Sequence, residues 1–472
     1  MFEKYKKIHF VGAGGIGVSA LAKWALHDGV MVSGSDAAAS GITDELVKMG
    51  ARIFIGHKKE NVPPDADLII YSDAVPASNP ERKNKIPQKS YFEALGDITR
   101  QKKTLAISGT NGKSTTTAMI GKILIDSGAD PTVVVGSKIK DFEYGNLHIG
   151  KGEFFVVEAC EHNSHMLLLY PEYIFLTNIE ADHLDFYKNL ENVLSAFEKY
   201  VYGIPASGFL VFNADDKNTL QIIGGLTNRK IGYGVGASAD FKFENRRVEE
   251  GPPRVDRPRV EAGRQSFDVL LEGNKLGTVE LNIPGLFNVY NAMAAISAAM
   301  SLGMEFETIK KSLASFSGLW RRFELVGKYK GAPVISDYGH HPTAIAATIL
   351  AAREFYPGRR VVVAFQPHQH HRAKALFADF VRSFGEADVV ILSEIYDVAG
   401  RAGDKNISGK SLAEAVVKYW KTDEDQKPDR EMIYCDNLSE TEEALRKNVT
   451  KGDVIIIMGA GDVYKVAERL CG

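Results

Sequence analysis

The architecture of this chain is set by Thr104-Leu105-Ala106-Ile107-Ser108-Gly109-Thr110-Asn111-Gly112-Lys113-Ser114. A short β-branched run passes into a turn with two glycines and then, from Thr115, into a helical pattern. That order places backbone N–H groups at the start of a helix, where they cradle phosphate oxygens. Lys113 then brings a point charge to the β and γ oxygens of a nucleotide, and the Ser114 hydroxyl brings a ligand for Mg²⁺. The usual GxxxxGK[ST] spacing is not kept, because Ile107 stands at the first glycine position and Gly109 comes two residues later.

Working outward, the same alternation fills the chain. Strands are expected at 8–11, 30–33, 68–71, 104–107, 154–157, 173–177, 334–336, 360–365, 389–395, 431–434 and 454–457. Helical patterns between them predict an α/β protein with mainly parallel sheets. At roughly 100 to 200 residues per domain, 472 residues make about two to four domains. Pro76, Pro80, Pro87 and a cluster of charges set one boundary near residue 101, and Phe316-Ser317-Gly318 sets another. Three domains follow: 1–101, Rossmann-like; 102–317, a central P-loop ATPase-type sheet, mostly parallel; and 318–472, again Rossmann-like. From Asp240 to Glu280, alternating apolar residues around Gly251-Pro252-Pro253 suggest antiparallel hairpins, and an alanine-rich helix is expected at 291–302.

Composition narrows the function classes. With 44% hydrophobic and 25% charged residues, the chain is neither disordered nor fibrous. A net charge of -3 gives no overall basic field to draw nucleic acid or anionic lipid. No apolar run approaches the ~18 residues of a membrane span. The opening residues are too short an apolar stretch for a signal peptide. Three scattered cysteines argue against a disulfide framework or a cysteine-rich zinc site, so a reducing compartment, the cytoplasm, is expected.

Another glycine turn, earlier in the chain, Gly12-Ala13-Gly14-Gly15-Ile16-Gly17, follows the first strand and opens a helix, with Asp36 after the next strand. Such a turn lets a backbone approach a diphosphate, and the acid suits a ribose hydroxyl. The pattern does not say whether the diphosphate belongs to NAD or to a sugar nucleotide. Two strand ends near Lys113 carry hard donors: Glu158-Ala159-Cys160-Glu161 and Asn178-Ile179-Glu180-Ala181-Asp182-His183. Cys160 reads as an inert small residue. Further on come Trp320-Arg321-Arg322-Phe323, Asp337-Tyr338-Gly339-His340-His341-Pro342, Gln366-Pro367-His368-Gln369-His370-His371-Arg372 and Met458-Gly459-Ala460-Gly461-Asp462. The histidine spacing fits no zinc pattern, so recognition of anionic or polar substrate groups is the better expectation there.

In this order the residues resemble the Mur ligase family, with Asn288 to Asn291 completing the series across nearly the whole chain. The resemblance implies an ATP-dependent amide-forming enzyme of peptidoglycan precursor synthesis, a cell-wall pathway tied to cell shape and division. The full glycine fingerprint Gly12 to Gly17, Asn178 to His183, His340-His341-Pro342-Thr343 and Phe365 to His368 look most like the branch that joins L-alanine to UDP-N-acetylmuramate. It further implies that Gly12 to Gly17, Asp36 and Ser72 hold the UDP-sugar, and that Gly109 to Thr115, Asn288, Asn291, Arg322 and Asp337 hold ATP. Ser114, Glu158 and His183 would ligate Mg²⁺; Lys113, Glu158, His183, Arg322 and His340 would act in catalysis. His340, His341, His368 and Arg372 would meet the amino-acid substrate, and closure of the third domain would exclude water from an acyl phosphate.

Several positions depart from that family's pattern. Asn111 stands where His is frequent, Ser114 where Thr is usual, Phe287 in place of a His, and Gln369-His370-His371 in place of Arg-Tyr-Thr. Lys199 is the sole candidate for the carbamylated lysine some relatives carry. Partners are expected to be small molecules only, on a monomer or homodimer. The competing assignments are a ligase recycling a preformed tripeptide onto the same sugar nucleotide, a nicotinamide-dependent dehydrogenase, and a non-catalytic nucleotide-binding regulator.

Overall fold

The computed structural model describes residues 1–249, 263–396, 406–422 and 429–472, so the expected turn at Gly251-Pro252-Pro253 lies outside the described residues. Two compact units emerge: Met1–Ile179, Leu194–Asp240 and Ala294–Ile309 form the first, and Glu180–Val193, Phe241–Met293 and Lys310–Gly472 the second.

In the first unit, β1 (Lys7–Val11), β2 (Met31–Asp36), β3 (Arg52–Ile55), β4 (Leu68–Tyr71) and β5 (Gln88–Ser90) make a parallel sheet in the order β3-β2-β1-β4-β5. The order reverses at β1, so the crevice at a topological switch point opens where Gly12 begins. A second set comprises β6 (Lys103–Ser108), β7 (Thr132–Val134), β8 (Leu147–His148), β9 (Phe154–Glu158), β10 (Tyr173–Leu176), β11 (Phe209–Asn213) and β12 (Arg229–Gly234). Strands β10, β6 and β9 lie side by side in parallel, and only the β7–β8 pair is antiparallel. Leu105, Ala106 and Ile107 of β6 are wholly buried, as the continuous apolar run of a strand covered on both faces requires.

In the second unit, β13 (Phe241–Glu249), β14 (Arg264–Leu271) and β15 (Asn274–Leu281) form the expected antiparallel ladder. Strands β16 (Glu324–Tyr329), β17 (Ala332–Asp337), β18 (Arg360–Phe365), β19 (Val389–Ser393), β20 (Glu431–Cys435) and β21 (Asp453–Met458) form a sheet in the order β16-β17-β21-β18-β19-β20, parallel except at β16–β17. The α/β class is therefore as expected, and each expected strand is present with ends moved by up to three residues. The helix expected at 291–302 spans Leu286–Ser301. Gly285 at φ +91° turns the chain just ahead of it, and Phe287 packs on the core of the second unit. Among the described residues no helix is long and apolar enough to cross a membrane.

Candidate active site

Strand β6 ends in the glycine turn and the helix Lys113–Asp126 follows at once. Gly109 sits at φ +129°, and a Cβ there would lie 2.1 Å from Thr177 Oγ1, so only glycine fits. Gly112, at φ +86°, is the left-handed residue that precedes the helix. The end of β10 holds the turn in shape. Thr110 N–H donates to the Asn178 carbonyl at 2.8 Å, Asn111 N–H to Asn178 Oδ1 at 3.0 Å, and Thr177 Oγ1 donates to the Asn111 carbonyl at 2.6 Å. Residues 177 and 178, read from sequence as the approach to candidate metal ligands, are thus the buttress of the glycine turn.

Lys113 Nζ donates to the carbonyls of Gly109 at 2.6 Å and Thr110 at 3.1 Å, and lies 2.8 Å from Glu161 Oε2. Burial disfavours its ammonium, but the Glu161 carboxylate outweighs that and raises the pKa above the usual lysine value. Ser114 Oγ donates to Glu158 Oε2 at 3.0 Å, while Gly136 N–H donates to the other oxygen, Oε1. Glu158 is thereby aimed at the serine. A hydroxyl and a carboxylate so placed are the hard oxygen donors that Mg²⁺ accepts, so the residues present fit that ion. Among the described residues, no group of three or more His, Cys, Asp or Glu is arranged as a cation cage. Burial and Glu161 push the Cys160 thiol up to about 12, consistent with an inert cysteine.

At the mouth of the first sheet, Gly12 has φ +79° and a Cβ there would meet Ser72 Cβ at 2.9 Å. The N–H groups of Gly12 and Ala13 both donate to the Ser35 carbonyl at 2.9 Å, and Gly15 N–H donates to the Gly12 carbonyl at 3.1 Å. Asp36 Oδ2 accepts the Gly14 N–H at 2.8 Å, so the acid read as a ribose ligand also braces the turn. Beneath it lies a polar cluster that sequence reasoning missed, since its members come from separate segments. Buried Glu81 takes hydrogen bonds from Ser35 Oγ, from Asn61 Nδ2 at 2.6 Å and from Lys58 N–H at 3.0 Å, with His9 Nε2 at 3.4 Å.

The second unit gathers the remaining residues. Asp337 is buried and accepts the N–H groups of Phe323 at 2.7 Å and Gly339 at 2.6 Å; burial, against the pull of Arg322, raises its pKa. Arg321 donates to the carbonyls of Gly459 and Gly461, so it anchors the last glycine turn and leaves Arg322 over the Tyr338 ring. Asn291 Nδ2 donates to Asn288 Oδ1 at 3.1 Å, and Asn288 Nδ2 to the Pro284 carbonyl at 2.6 Å. Arg372 donates through Nε and Nη2 to Asp182 Oδ1 at 3.1 and 3.0 Å. Burial pushes Asp182 up, but Arg372, His183 and His340 more than reverse this and hold it far below the usual carboxylate range. Burial and Arg372 together keep His340 well below the usual imidazole value, so it is neutral at pH 7. His340 and His368 have ring centres 6.4 Å apart, and His341 Nδ1 lies 3.2 Å from Glu180 Oε2. A shallow depression is lined by Asp182, His183, Asp185, Gln369, His371 and Arg372 among others, which places the departure at Gln369 beside the Asp182–Arg372 pair. His183 faces Asp182 Oδ2 at 3.8 Å in this unit, whereas Ser114 and Glu158 pair in the first. Lys199 is exposed on the helix Leu190–Val201.

A loop of this kind at the carboxyl end of a buried parallel strand, with a lysine and a serine opening the next helix, defines an α/β nucleotide-binding enzyme of the phosphoryl-transfer kind. Three family models match in succession: the Mur ligase family catalytic domain over 7–103, the Mur ligase middle domain over 107–299 and the Mur ligase glutamate ligase domain over 321–461. The chain belongs to the Mur ligase family. It is 39% identical over 471 residues to a UDP-N-acetylmuramate–L-alanine ligase of Aquifex aeolicus, covering 99% of this chain and 97% of that one. The ligase of the same name from Geobacter sulfurreducens is also 39% identical, with 99% and 97% covered. Among solved structures, the UDP-N-acetylmuramate–alanine ligase of Thermotoga maritima superposes with a TM-score of 0.81 at 30% identity, over 98% of each chain.

Proposed function

We propose that this protein is a UDP-N-acetylmuramate–L-alanine ligase, acting in the cytoplasm on small-molecule substrates with ATP and Mg²⁺. The observation that carries the reading is the Lys113 and Ser114–Glu158 arrangement at the end of β6, in a chain whose full length is 39% identical to ligases of that name. A carboxylate is a poor electrophile. In the proposed reaction it takes the γ-phosphoryl group of ATP, giving an acyl phosphate and ADP. The neutral amine of alanine then attacks the carbonyl carbon, and the tetrahedral intermediate expels phosphate as the amide forms.

The chain's own groups divide this work. Lys113 compensates charge on the transferring phosphoryl group, and the N–H groups of the loop from Gly109 to Thr115 hold it in line. Ser114 and Glu158 would hold Mg²⁺, which when bound neutralises charge on the phosphate oxygens. His340, neutral at pH 7, is suited to take the proton that the alanine ammonium must lose. Arg372, beside the depression, offers a guanidinium to the amino acid's carboxylate. Asn288, Asn291, Arg322 and Asp337 would serve ATP, and the turn from Gly12 to Gly17, with Asp36 and Ser72, the UDP moiety. The domain limits 1–101, 102–317 and 318–472 divide the sugar-nucleotide, ATP and amino-acid roles.

Purified protein should release phosphate from ATP only when UDP-N-acetylmuramate and L-alanine are both present. Equal release with either partner omitted would overturn the proposal. Release with a preformed L-alanyl tripeptide but not with L-alanine would move the protein to the recycling branch.

A further inference from the structure

One face of the helix Ile16–His27 carries Ile16, Ser19 and Lys23 at i, i+3 and i+7, and all three meet Asn146, at the foot of the β7–β8 hairpin. Asn146 Nδ2 donates to the Ile16 carbonyl at 2.5 Å and reaches Ser19 Oγ at 3.2 Å. Lys23, only 2% exposed, donates to Asn146 Oδ1 at 3.1 Å and to the Tyr144 carbonyl at 2.8 Å. A buried ammonium with so complete a set of acceptors specifies one geometry. Glu45 adds a parallel link, pairing with Lys23 at 3.0 Å and with Lys138 of the hairpin at 2.6 Å.

The path continues to the phosphate loop through the hairpin's backbone. Val135 N–H donates to the Asn146 carbonyl at 3.0 Å, and the next residue, Gly136, donates its N–H to Glu158. Glu158 in turn accepts from Ser114 at 3.0 Å. Ile16 belongs to the first glycine turn and Ser114 to the second. An unbroken run of hydrogen bonds therefore joins the first turn, through Asn146 and the hairpin backbone, to the carboxylate in front of Ser114.

We infer that Asn146 and Lys23 are positioning residues that couple occupancy of the Gly12–Gly17 turn by the sugar nucleotide to the binding of nucleoside triphosphate and Mg²⁺ at Lys113–Ser114. The inference rests on the proposed assignment of UDP-N-acetylmuramate to the first turn. Asn146→Asp is nearly isosteric; it replaces the donor facing Ile16 with an acceptor while keeping one for Lys23. Lys23→Met keeps the apolar stem and removes the ammonium, so the two variants break the path at different atoms.

The test is calorimetric titration of the full-length protein with a non-hydrolysable ATP analogue and Mg²⁺, with and without saturating UDP-N-acetylmuramate. The ratio of the two Kd values should be about fivefold or more in the native protein and the same for the reverse titration, because coupling is reciprocal. In both variants it should fall to within about twofold of unity, while each Kd measured alone changes by less than about threefold. A ratio near one in the native protein, or an undiminished ratio in both variants, would overturn the inference and leave the functional assignment standing. Failure of the native protein to bind UDP-N-acetylmuramate at all would overturn both.

Discussion

Lys113 and Glu161 face each other at 2.8 Å, with the ammonium also held by the carbonyls of Gly109 and Thr110. Burial alone depresses a lysine; the carboxylate of Glu161 turns that into a raised pKa. Glu161→Gln removes the charge but keeps the shape, so Lys113 should lose its proton at a lower pH. The alkaline limb of the kcat profile should move to lower pH, while Lys113→Met should cost on the order of 10²- to 10³-fold in kcat at every pH. A pH–rate series on both variants checks this, and an unmoved alkaline limb in Glu161→Gln would show that the pair does not set the charge of Lys113.

Ser114 and Glu158 make a second short contact, at 3.0 Å, in which the carboxylate is fixed from behind by Gly136. Ser114→Ala should raise the Mg²⁺ concentration for half-maximal activity by about 10- to 100-fold, and Ser114→Thr, which keeps the hydroxyl, should leave it within about threefold. Titrating phosphate release against Mg²⁺ at saturating substrates separates the two. Gly136→Ala should behave like Ser114→Ala, because an added Cβ would come 3.0 Å from both Glu158 oxygens.

Much of this was legible in the sequence because glycine turns, their lysine and serine, and β-branched strands are local signals. Short edge strands such as β5, with Gln88, Lys89 and Ser90, carry no apolar pattern and escaped notice. The role of Asn178 was hidden for a different reason: its partners Thr110 and Asn111 lie 67 residues away or more, and nothing in the local chain announces the pairing. Asp36 stands just past the expected strand at 30–33 and is the last residue of β2, yet its bond to Gly14 depends on the distance between two turns. Arg321 and Arg322 are indistinguishable as a dipeptide. Only the fold shows that the first is committed to Gly459 and Gly461.

Glu81 supplies a stability prediction independent of catalysis. Burial raises a carboxyl pKa, but hydrogen bonds from His9, Ser35, Asn61 and Lys58 N–H outweigh it and hold Glu81 at about 2. The folded value lies below the unfolded one, ~4.3, so its contribution is present above that pH and is lost as pH falls toward 2. Glu81→Gln should therefore lower stability by about 2 kcal/mol at pH 7 and flatten the loss between pH 4.5 and 2.5. Urea unfolding across that pH range measures both effects, and identical slopes for the two proteins would refute the assignment.

The Asp182–Arg372 pair joins stability to chemistry, because His340 feels both charges. Arg372→Ala leaves Asp182 buried without its counter-ion, which should cost about 3 to 5 kcal/mol. The folded Asp182 value lies below the unfolded one, ~3.9, so the native protein keeps this contribution above that pH and loses it on acidification. In the variant, Asp182 rises and acid unfolding begins at higher pH. His340 responds in the opposite sense to its present state: Arg372 now keeps it low, and without that guanidinium the nearby carboxylate raises it. The acid limb of kcat should consequently move to higher pH in Arg372→Ala, and Asp182→Asn, which removes the opposite charge, should move it to lower pH. Circular dichroism at each pH confines both profiles to the range in which the variants are folded, and limbs that move in the same direction within that range, or do not move, would refute the link between the pair and His340.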